Sequence, residues 1–251
     1  MSSVQIPTMS QNPLQIGMLI YPGMTLLDLA GPQASLGLHG VTHLAWKTMT
    51  PVPTDSGVTI LPTTTFAECP RDLDILFVPG GFGTNDAMKD AEVLAFLADR
   101  GRSARYITSV CSGSILLGAA GLLNGYKAAT HWAAYEMLEA LGVTAEHRRV
   151  VIDRNRLTGG GVTAGLDFGL TLLAELRGEV VAKTTQLALE YDPKPPFDTG
   201  TPETAGPELV ALAKALMGNI MDEGVAIARA IRQGQVSAGR ENGVAQPASL
   251  A

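Results

Sequence analysis

The sequence has few aromatic residues, few charged residues and only two cysteines. Aromatic side chains make up 5% of the 251 residues and charged side chains 17%. Since roughly 25% charged residues is typical, we expect a mostly aliphatic core. No apolar run approaches the roughly 20 residues of a membrane span. The formal net charge of −6 and a pI near 5.2 argue against binding to nucleic acid or to an anionic membrane surface.

The cysteines and histidines show no spacing typical of a disulfide-rich scaffold or a metal site. Cys69 and Cys111 are expected to be free thiols in a reducing cytoplasm, although a single disulfide between them stays open. His39 and His43 are four residues apart, but the glycine and threonine between them make a poor helix, so we expect no metal ligands there. Residues 1–13 are polar and lack a basic stretch and an apolar segment, so we expect no signal peptide.

Short apolar segments alternate with helical segments along most of the chain. Strands are expected at 14–20, 44–47, 74–78, 105–110 and 128–131, with a strand pair over 150–158. Helices are expected at 25–36, 90–99, 114–120, 133–141, 164–176 and 180–189. This alternation predicts βαβ units, with a mostly parallel sheet between helical layers.

The length and the hydrophobic content of 46% fit one α/β domain with an appendage. Five prolines between residues 192 and 207 indicate an ordered loop or a linker, and no helix-turn-helix pair is expected after it. Leu209, Leu212, Leu216 and Ile220 then recur with helical period. The expected organisation is a flexible lead (1–13), an α/β domain (14–206), a C-terminal helix that packs on the domain or on a second subunit (207–234), and a disordered tail (235–251).

Residues 108–114, Thr-Ser-Val-Cys-Ser-Gly-Ser, carry the strongest local signal of reactivity. An expected strand runs into Cys111, small residues follow, and a helix begins, which is the plan of a nucleophile elbow. The start of the helix offers free N–H groups and the positive end of the helix dipole, and both favour a thiolate. A buried structural cysteine is the alternative. Cys69, in a loop beside Pro70, is interpreted in that second way.

Asp28 stands among four aliphatic residues, where a carboxylate is costly unless it is paired. Thr25 lies three residues before it, so a helix-capping box is one interpretation. The other places Asp28 at the C-terminal edge of the first strand, where ligands bind in open α/β sheets. There a partly buried carboxylic acid can stay protonated and donate its proton to a reacting atom.

Two glycine turns and one histidine complete the set of candidates. Gly80 and Gly81 follow a strand without the full dinucleotide-binding pattern, so backbone N–H donors toward developing negative charge fit them better than a cofactor loop. The turn at 159–161 either allows close helix–strand packing or brings Gly160 to the substrate. His131 follows Cys111 by 20 residues and is either its partner in a Cys–His pair or a structural histidine. Trp132 and Phe82 favour an apolar pocket.

These segments together resemble the ThiJ/PfpI superfamily, whose members have a class I glutamine amidotransferase-like fold. The resemblance rests on Tyr-Pro-Gly and Leu-Asp-Leu-Ala-Gly-Pro within 21–32, on Pro-Gly-Gly at 79–81 and on Ser-Val-Cys at 109–111. It covers roughly residues 14–230. Within the superfamily the chain is most similar to isocyanide hydratases, on four stretches: 109–123, 129–132, 157–167 and 187–197.

The resemblance implies a flavodoxin-like three-layer α/β sandwich with a mostly parallel central sheet, in a homodimer. It implies that Cys111 is the nucleophile, that Asp28 on the first strand is its acidic partner and proton donor, and that the Ser112 hydroxyl holds Asp28. The reaction implied is the hydration of an isocyanide by water to an N-substituted formamide, with no cofactor and no metal. The expected substrate-binding residues are Gly80, Gly81, His131, Trp132 and Gly160.

Two other functions stay open on the sequence. One is another reaction of the superfamily, such as that of a glyoxalase, a deglycase or an amidase. The other is a thiol sensor or ligand-binding module without catalysis, since sensor domains of amidase-type transcription regulators share the Thr-His-Trp stretch at 130–132. Those regulators carry a DNA-binding domain, which we do not expect here.

Overall fold

The computed structural model describes residues 12–234, which form one α/β fold. The strands are β1 (Leu14–Leu19), β2 (Gly40–Trp46), β3 (Val52–Pro53), β4 (Thr59–Ile60), β5 (Thr64–Thr65), β6 (Ile75–Val78), β7 (Tyr106–Val110), β8 (Lys127–Ala128), β9 (Thr144–Ala145), β10 (Val150–Asp153) and β11 (Arg156–Gly159). The helices are α1 (Leu26–Leu36), α2 (Thr84–Lys89), α3 (Ala91–Gly101), α4 (Gly113–Ala119), α5 (Tyr135–Ala140), α6 (Ala164–Arg177), α7 (Glu179–Ala188), α8 (Pro202–Met217) and α9 (Ile220–Arg232).

Seven of the strands in the described part form the central sheet, in the order β10-β11-β7-β6-β1-β2-β5. Every neighbouring pair is parallel except the β10–β11 hairpin at one edge. Strand β6 is buried along its whole length, as expected for a parallel strand that is covered on both faces. The predicted mostly parallel sheet is therefore confirmed, and so is the strand pair over 150–158.

The helices form two groups, and the sheet lies between them. Helix α1 packs on α6, and α6 packs on α7. In the other group α4 contacts α2, α3 and α5, while α9 packs against α5 and α2. The arrangement is the flavodoxin-like three-layer sandwich expected from the sequence. None of the helices in residues 12–234 is long and apolar enough to cross a bilayer.

Several element boundaries differ from the sequence-based expectations. Strand β2 begins at Gly40 rather than at 44, because it pairs with β1 along its full length. Strand β8 ends at Ala128 rather than at 131, because the Thr130 hydroxyl turns to the Cys111 carbonyl. Helix α2 was not expected, since its six residues are too few to show helical periodicity.

The C-terminal region differs most from the expectation. Two helices, α8 and α9, replace the single helix predicted over 207–234, because Gly218 breaks the chain between them with a φ of +59°. Helix α8 starts earlier than expected, at Pro202, with Thr201 as its N-cap, and bends at Gly206 (φ +79°). The predicted tail over 235–251 and the first eleven residues of the predicted lead lie outside the described residues.

Candidate active site

Cys111 lies at a sharp turn between the end of β7 and the start of α4. Its φ is +57°, in the left-handed region that costs a residue with a side chain about 1–2 kcal/mol. The turn is held from both sides: the Cys111 N–H donates to the Gly160 carbonyl at 2.7 Å, and its carbonyl accepts from the Thr130 hydroxyl at 3.0 Å. Ser112 then begins the helix. This geometry is that of the predicted nucleophile elbow.

Two glycines allow the β6 loop and the elbow to approach each other closely. A Cβ at residue 80 would lie 2.4 Å from the Ser112 nitrogen and 2.9 Å from the Cys111 Cβ. A Cβ at Gly113 would lie 2.1 Å from the Val78 carbonyl oxygen. The Ser112 nitrogen and the Val78 oxygen are backbone atoms, which cannot move aside as the end of a flexible side chain does.

Asp28 lies in the first turn of α1 and not on the first strand, so its predicted position on β1 is wrong. Its side chain is fully buried, and its Oδ2 accepts the Gly80 N–H at 2.8 Å. Oδ1 has no hydrogen-bond partner among residues 12–234. Thr25 makes no side-chain cap on α1, and its hydroxyl donates to Asp55 instead. The capping-box interpretation is therefore wrong.

Burial governs the protonation of the Cys111–Asp28 pair. Desolvation raises the pKa of Asp28 from 3.8 to about 7, against the lowering effects of the Gly80 N–H and of Cys111. Burial, and then the nearby Asp28 carboxylate, raise the pKa of the Cys111 thiol well above its ordinary value, although hydrogen bonds from Ser112 act in the opposite direction. The start of α4 thus favours the thiolate as expected, through Ser112, but burial and Asp28 outweigh that effect and favour the thiol.

Ser112 belongs to a chain of buried hydroxyl groups that holds the Gly81 loop. Its Oγ accepts the Gly81 N–H at 3.0 Å and lies 2.8 Å from the Thr84 Oγ1. Thr84 also donates to the Gly81 carbonyl at 2.7 Å and lies 3.2 Å from the Tyr21 hydroxyl. The predicted role of Ser112 in holding Asp28 is therefore not what the geometry shows, because Gly80 holds that carboxylate.

His131 and Cys111 both line the same cavity. The Nδ1 of His131 accepts the Ala133 N–H at 3.3 Å, so a neutral ring carries its proton on Nε2. Burial lowers the pKa of His131, which favours the neutral form. Trp132 lies against the His131 ring, with 5.4 Å between the centroids, and does not line the cavity.

A cavity with a volume of about 100 Å³ lies in front of Cys111 and opens to solvent. Four of the predicted site residues line it: Gly81, Cys111, Ser112 and His131. Phe82 lines it as well. Gly80 and Gly160 lie behind it, where they hold Asp28 and the Cys111 backbone. Sequence reasoning missed the remaining lining residues, which are Thr25, Thr84, Asn85, Ala134, Met137, Val162, Met217, Ile220 and Met221.

Cys69 is separate from this site. It is a buried free thiol, and its carbonyl accepts from the buried Arg100 guanidinium at 2.9 Å. Cys111 is also free, so the two form no disulfide. No group of three or more His, Cys, Asp or Glu residues within 12–234 is arranged to hold a metal ion.

Residues 15–175 match the model of the DJ-1/PfpI family. The chain belongs to the DJ-1/PfpI family. The family match ends within α6, so the C-terminal helices that reach the cavity, α8 and α9, lie outside it.

Two curated DJ-1/PfpI relatives differ in what they are named for. The chain is 50% identical over 203 residues to the isonitrile hydratase of Pseudomonas putida, an alignment that covers 80% of this chain and 89% of that protein. It is 33% identical over 197 residues to the HTH-type transcriptional regulator GbdR of Pseudomonas aeruginosa, covering 74% of this chain but only 53% of the regulator.

Solved structures agree on the fold. A THiJ/PfpI family protein from Pseudomonas syringae superposes with a TM-score of 0.85 at 49% identity, covering 89% of this chain and 96% of that one. Schizosaccharomyces pombe DJ-1 superposes with a TM-score of 0.62 at 18% identity, covering 70% of this chain and 98% of that one. The second likeness concerns the fold alone.

Proposed function

We propose that this protein is an isocyanide hydratase, which adds water to R–N≡C and releases the N-substituted formamide. The observation that carries the proposal is the buried Cys111–Asp28 pair beside a cavity that no charged side chain of the described residues lines. The 50% identity to an isonitrile hydratase supports it. The reaction adds water without oxidation or reduction, so a nucleophile and a proton carrier are sufficient.

The first step joins Cys111 to the substrate. The Asp28 carboxylate takes the thiol proton, and the thiolate attacks the terminal carbon of the isocyanide, forming a C–S bond. Asp28 then gives the proton to the same carbon, forming a C–H bond. The product is a thioimidate, R–N=CH–S–Cys111, and Asp28 is ionised again. A carboxyl pKa of about 7 suits a group that both accepts and donates a proton near neutral pH.

The second step releases the formamide. Water adds to the thioimidate carbon, the nitrogen takes up a proton, and the tetrahedral R–NH–CH(OH)–S–Cys111 results. The C–S bond then breaks, the carbonyl forms, and the hydroxyl proton returns to the sulfur through Asp28. The Ser112 N–H, which already favours negative charge on the sulfur, stabilises the departing thiolate. The Gly81 N–H is committed to the Ser112 Oγ and takes no part.

His131 serves as a wall of the cavity rather than as a base. Its lowered pKa and its Nδ1 contact with Ala133 leave a neutral ring whose Nε2 proton is available for a hydrogen bond. Asp28 and the Cys111 thiol, by contrast, each shift the pKa of the other. The Cys–His pair left open by the sequence is therefore the less favoured arrangement.

The decisive experiment incubates the purified protein with a simple aryl isocyanide and follows formamide formation by chromatography. Cys111→Ala and Asp28→Asn are expected to abolish turnover while the protein stays folded, and Cys69→Ala is the matched control that keeps it. Methylglyoxal and a panel of amides, compared by kcat/KM, test the other reactions of the superfamily. Faster turnover of methylglyoxal or of an amide than of every isocyanide would overturn the proposal.

A ligand-binding role without catalysis is the second candidate, favoured by the similarity to the regulator GbdR. In that case an isocyanide would bind and shift the melting temperature, but no formamide would form. The same incubation separates the two candidates, because the sensor role predicts binding in the absence of product.

Assembly as a homodimer through α8 is part of the proposal. No side chain of α8 is buried within the described residues, and Leu209, Leu212 and Leu216 are 48%, 58% and 81% exposed. Their spacing places them on one helical face, which a second copy would cover. Sedimentation velocity should give the wild-type protein twice the chain mass of 26.3 kDa. A variant with all three leucines changed to serine should give the mass of a single chain. A monomeric wild-type protein would contradict this assembly.

We place the enzyme in the cytoplasm. Two free thiols, one of them the proposed nucleophile, suit a reducing compartment.

A further inference from the structure

The far wall of the cavity comes from the junction of α8 and α9. Met217 ends α8, and Ile220 and Met221 begin α9; we call these three residues the C-terminal wall. Met137 of α5 lines the cavity beside them. The C-terminal wall lies beyond residue 175, where the family match ends, while Cys111 and Asp28 lie within it.

A buried polar contact fixes the C-terminal wall in place. The Nδ2 of Asn85, a 7% exposed residue of α2, donates to the Ile220 carbonyl at 2.8 Å. Gly224 lets α9 approach closely, since a Cβ there would lie 1.8 Å from the Met137 Cε and 2.7 Å from the Asn85 Oδ1. Helix α9 therefore lies directly on α2 and α5, and the wall is part of the folded domain.

Apart from the Nε2–H of His131, the polar groups of the threonine, serine and asparagine side chains that line the cavity are engaged with the protein itself. Thr25 donates to Asp55, and Asn85 donates to the Ile220 carbonyl. Thr84 and Ser112 lie within hydrogen-bond distance of each other. The cavity therefore has no charged side chain and few free polar ones to recognise a polar substituent on the substrate.

Methionines dominate this side of the cavity. Two of the three residues of the C-terminal wall, Met217 and Met221, are methionines, and Met137 beside them is a third. Methionine side chains are flexible and polarizable, so they adapt to apolar and aromatic surfaces of different shape. The C-terminal wall is therefore suited to an uncharged, apolar substituent.

We propose that the C-terminal wall is the subsite for the substituent R and makes the enzyme select isocyanides whose substituent is uncharged, apolar and long enough to contact it. The proposal rests on the hydratase function and extends it to the substrate class. The isocyanide carbon lies at Cys111, R extends toward Met217 and Met221, and apolar contact alone holds it.

The test compares three isocyanides: methyl isocyanide, cyclohexyl isocyanide and a similarly sized one that carries a carboxylate. The wild-type enzyme should favour cyclohexyl isocyanide over both others in kcat/KM. Met217→Ala and Met221→Ala should each lower kcat/KM for cyclohexyl isocyanide roughly 4- to 15-fold, the worth of one to two buried methylenes, and change it less than about 2-fold for methyl isocyanide. Met49→Ala, a methionine that is 51% exposed, is the matched control and should leave all three rates unchanged.

Each other result has a defined meaning. Equal losses for the methyl and cyclohexyl substrates would show that the two methionines only support the fold, and unchanged rates would show that R does not contact them; either overturns the subsite. Turnover of all three substrates at similar rates by the wild-type enzyme also overturns it, but leaves the hydratase function in place. If no isocyanide is converted, the hydratase function itself fails.

Discussion

The Gly80 N–H donates a 2.8 Å hydrogen bond to the Asp28 carboxylate across 52 positions of sequence. The same glycine has its backbone so close to the elbow that an added Cβ would lie 2.4 Å from the Ser112 nitrogen. One residue without a side chain therefore brings the start of α1, the end of β6 and the nucleophile turn to a common point.

We expect Gly80→Ala to reduce kcat/KM on the order of 100-fold, because a misplacement of the reacting groups by about 1 Å has an effect of that size. The added methyl must displace Ser112 or Cys111, and both belong to the turn. Gly200→Ala is the matched control, since a Cβ there would meet nothing within 4 Å. Similar activity in the two variants would show that the elbow tolerates the displacement.

The burial of Asp28 should appear in the pH dependence of stability. Its pKa is about 7 in the folded protein against 3.8 as the ordinary value, so the folded state binds more protons than the unfolded state between these pH values. The wild-type free energy of unfolding should therefore fall as the pH rises from about 4 to about 7, relative to that of Asp28→Asn.

Urea unfolding of both proteins at several pH values measures this difference. The slope against pH is the test, because the buried amide of the variant shifts its stability by a constant amount. A difference that stays constant from acid to neutral pH would show that Asp28 ionises normally in the fold.

The same pKa sets the acid limb of the pH–rate profile. Only the ionised form of Asp28 can accept the Cys111 proton, so kcat/KM should rise with pH through a midpoint near 7. Turnover of an aryl isocyanide in buffers from pH 5 to 9 gives the profile. A rate that already reaches its plateau at pH 5 would assign the proton transfer to another group.

The strain at Cys111 predicts that a glycine variant is more stable than an alanine variant, which inverts the usual order of stability. Both Cys111→Gly and Cys111→Ala should be inactive. Glycine should nevertheless be the more stable by about 1 kcal/mol, because it accepts a φ of +57° without the cost that alanine keeps. Urea unfolding of the two variants decides the matter. An alanine variant as stable as the glycine variant would show that the turn relaxes out of the left-handed region.

Removing the Thr84 hydroxyl should loosen the Gly81 loop. Thr84→Val keeps the shape of the side chain but leaves the Gly81 carbonyl and the Ser112 Oγ without that partner, at a cost of about 1–3 kcal/mol. The melting temperature and kcat/KM of the valine variant should both be lower than those of the wild type. Thr84→Ser keeps the hydroxyl and should restore most of both values. A valine variant with wild-type stability would show that the hydroxyl chain contributes nothing.

The sheet and the elbow could be predicted because their signals are local. One short segment contains a run of apolar residues, Cys111, several small residues and the start of a helix. The fold places them as the sequence indicates. Asp28 was expected on the first strand but lies in α1, because the chain first turns at Gly23, with a φ of +75°, before that helix begins.

The walls of the site could not be predicted because they depend on contacts distant in sequence. Nothing near Asn85 indicates that its side chain binds the carbonyl of Ile220, 135 positions later. Nothing near Ser112 indicates Thr84 rather than Asp28 as its partner. The periodicity of the C-terminal leucines predicts a helix but not the surface that it covers.

The attachment of α9 to α2 sets an order in time for the nascent chain. Ribosomes synthesise the N-terminal part first, so the sheet and the Cys111 turn can form before residues 217–221 have emerged. Until Asn85 finds Ile220, the thiol lies in an open cleft without its far wall. Helix α9, which is made after the rest of the described fold, therefore completes the cavity in front of Cys111.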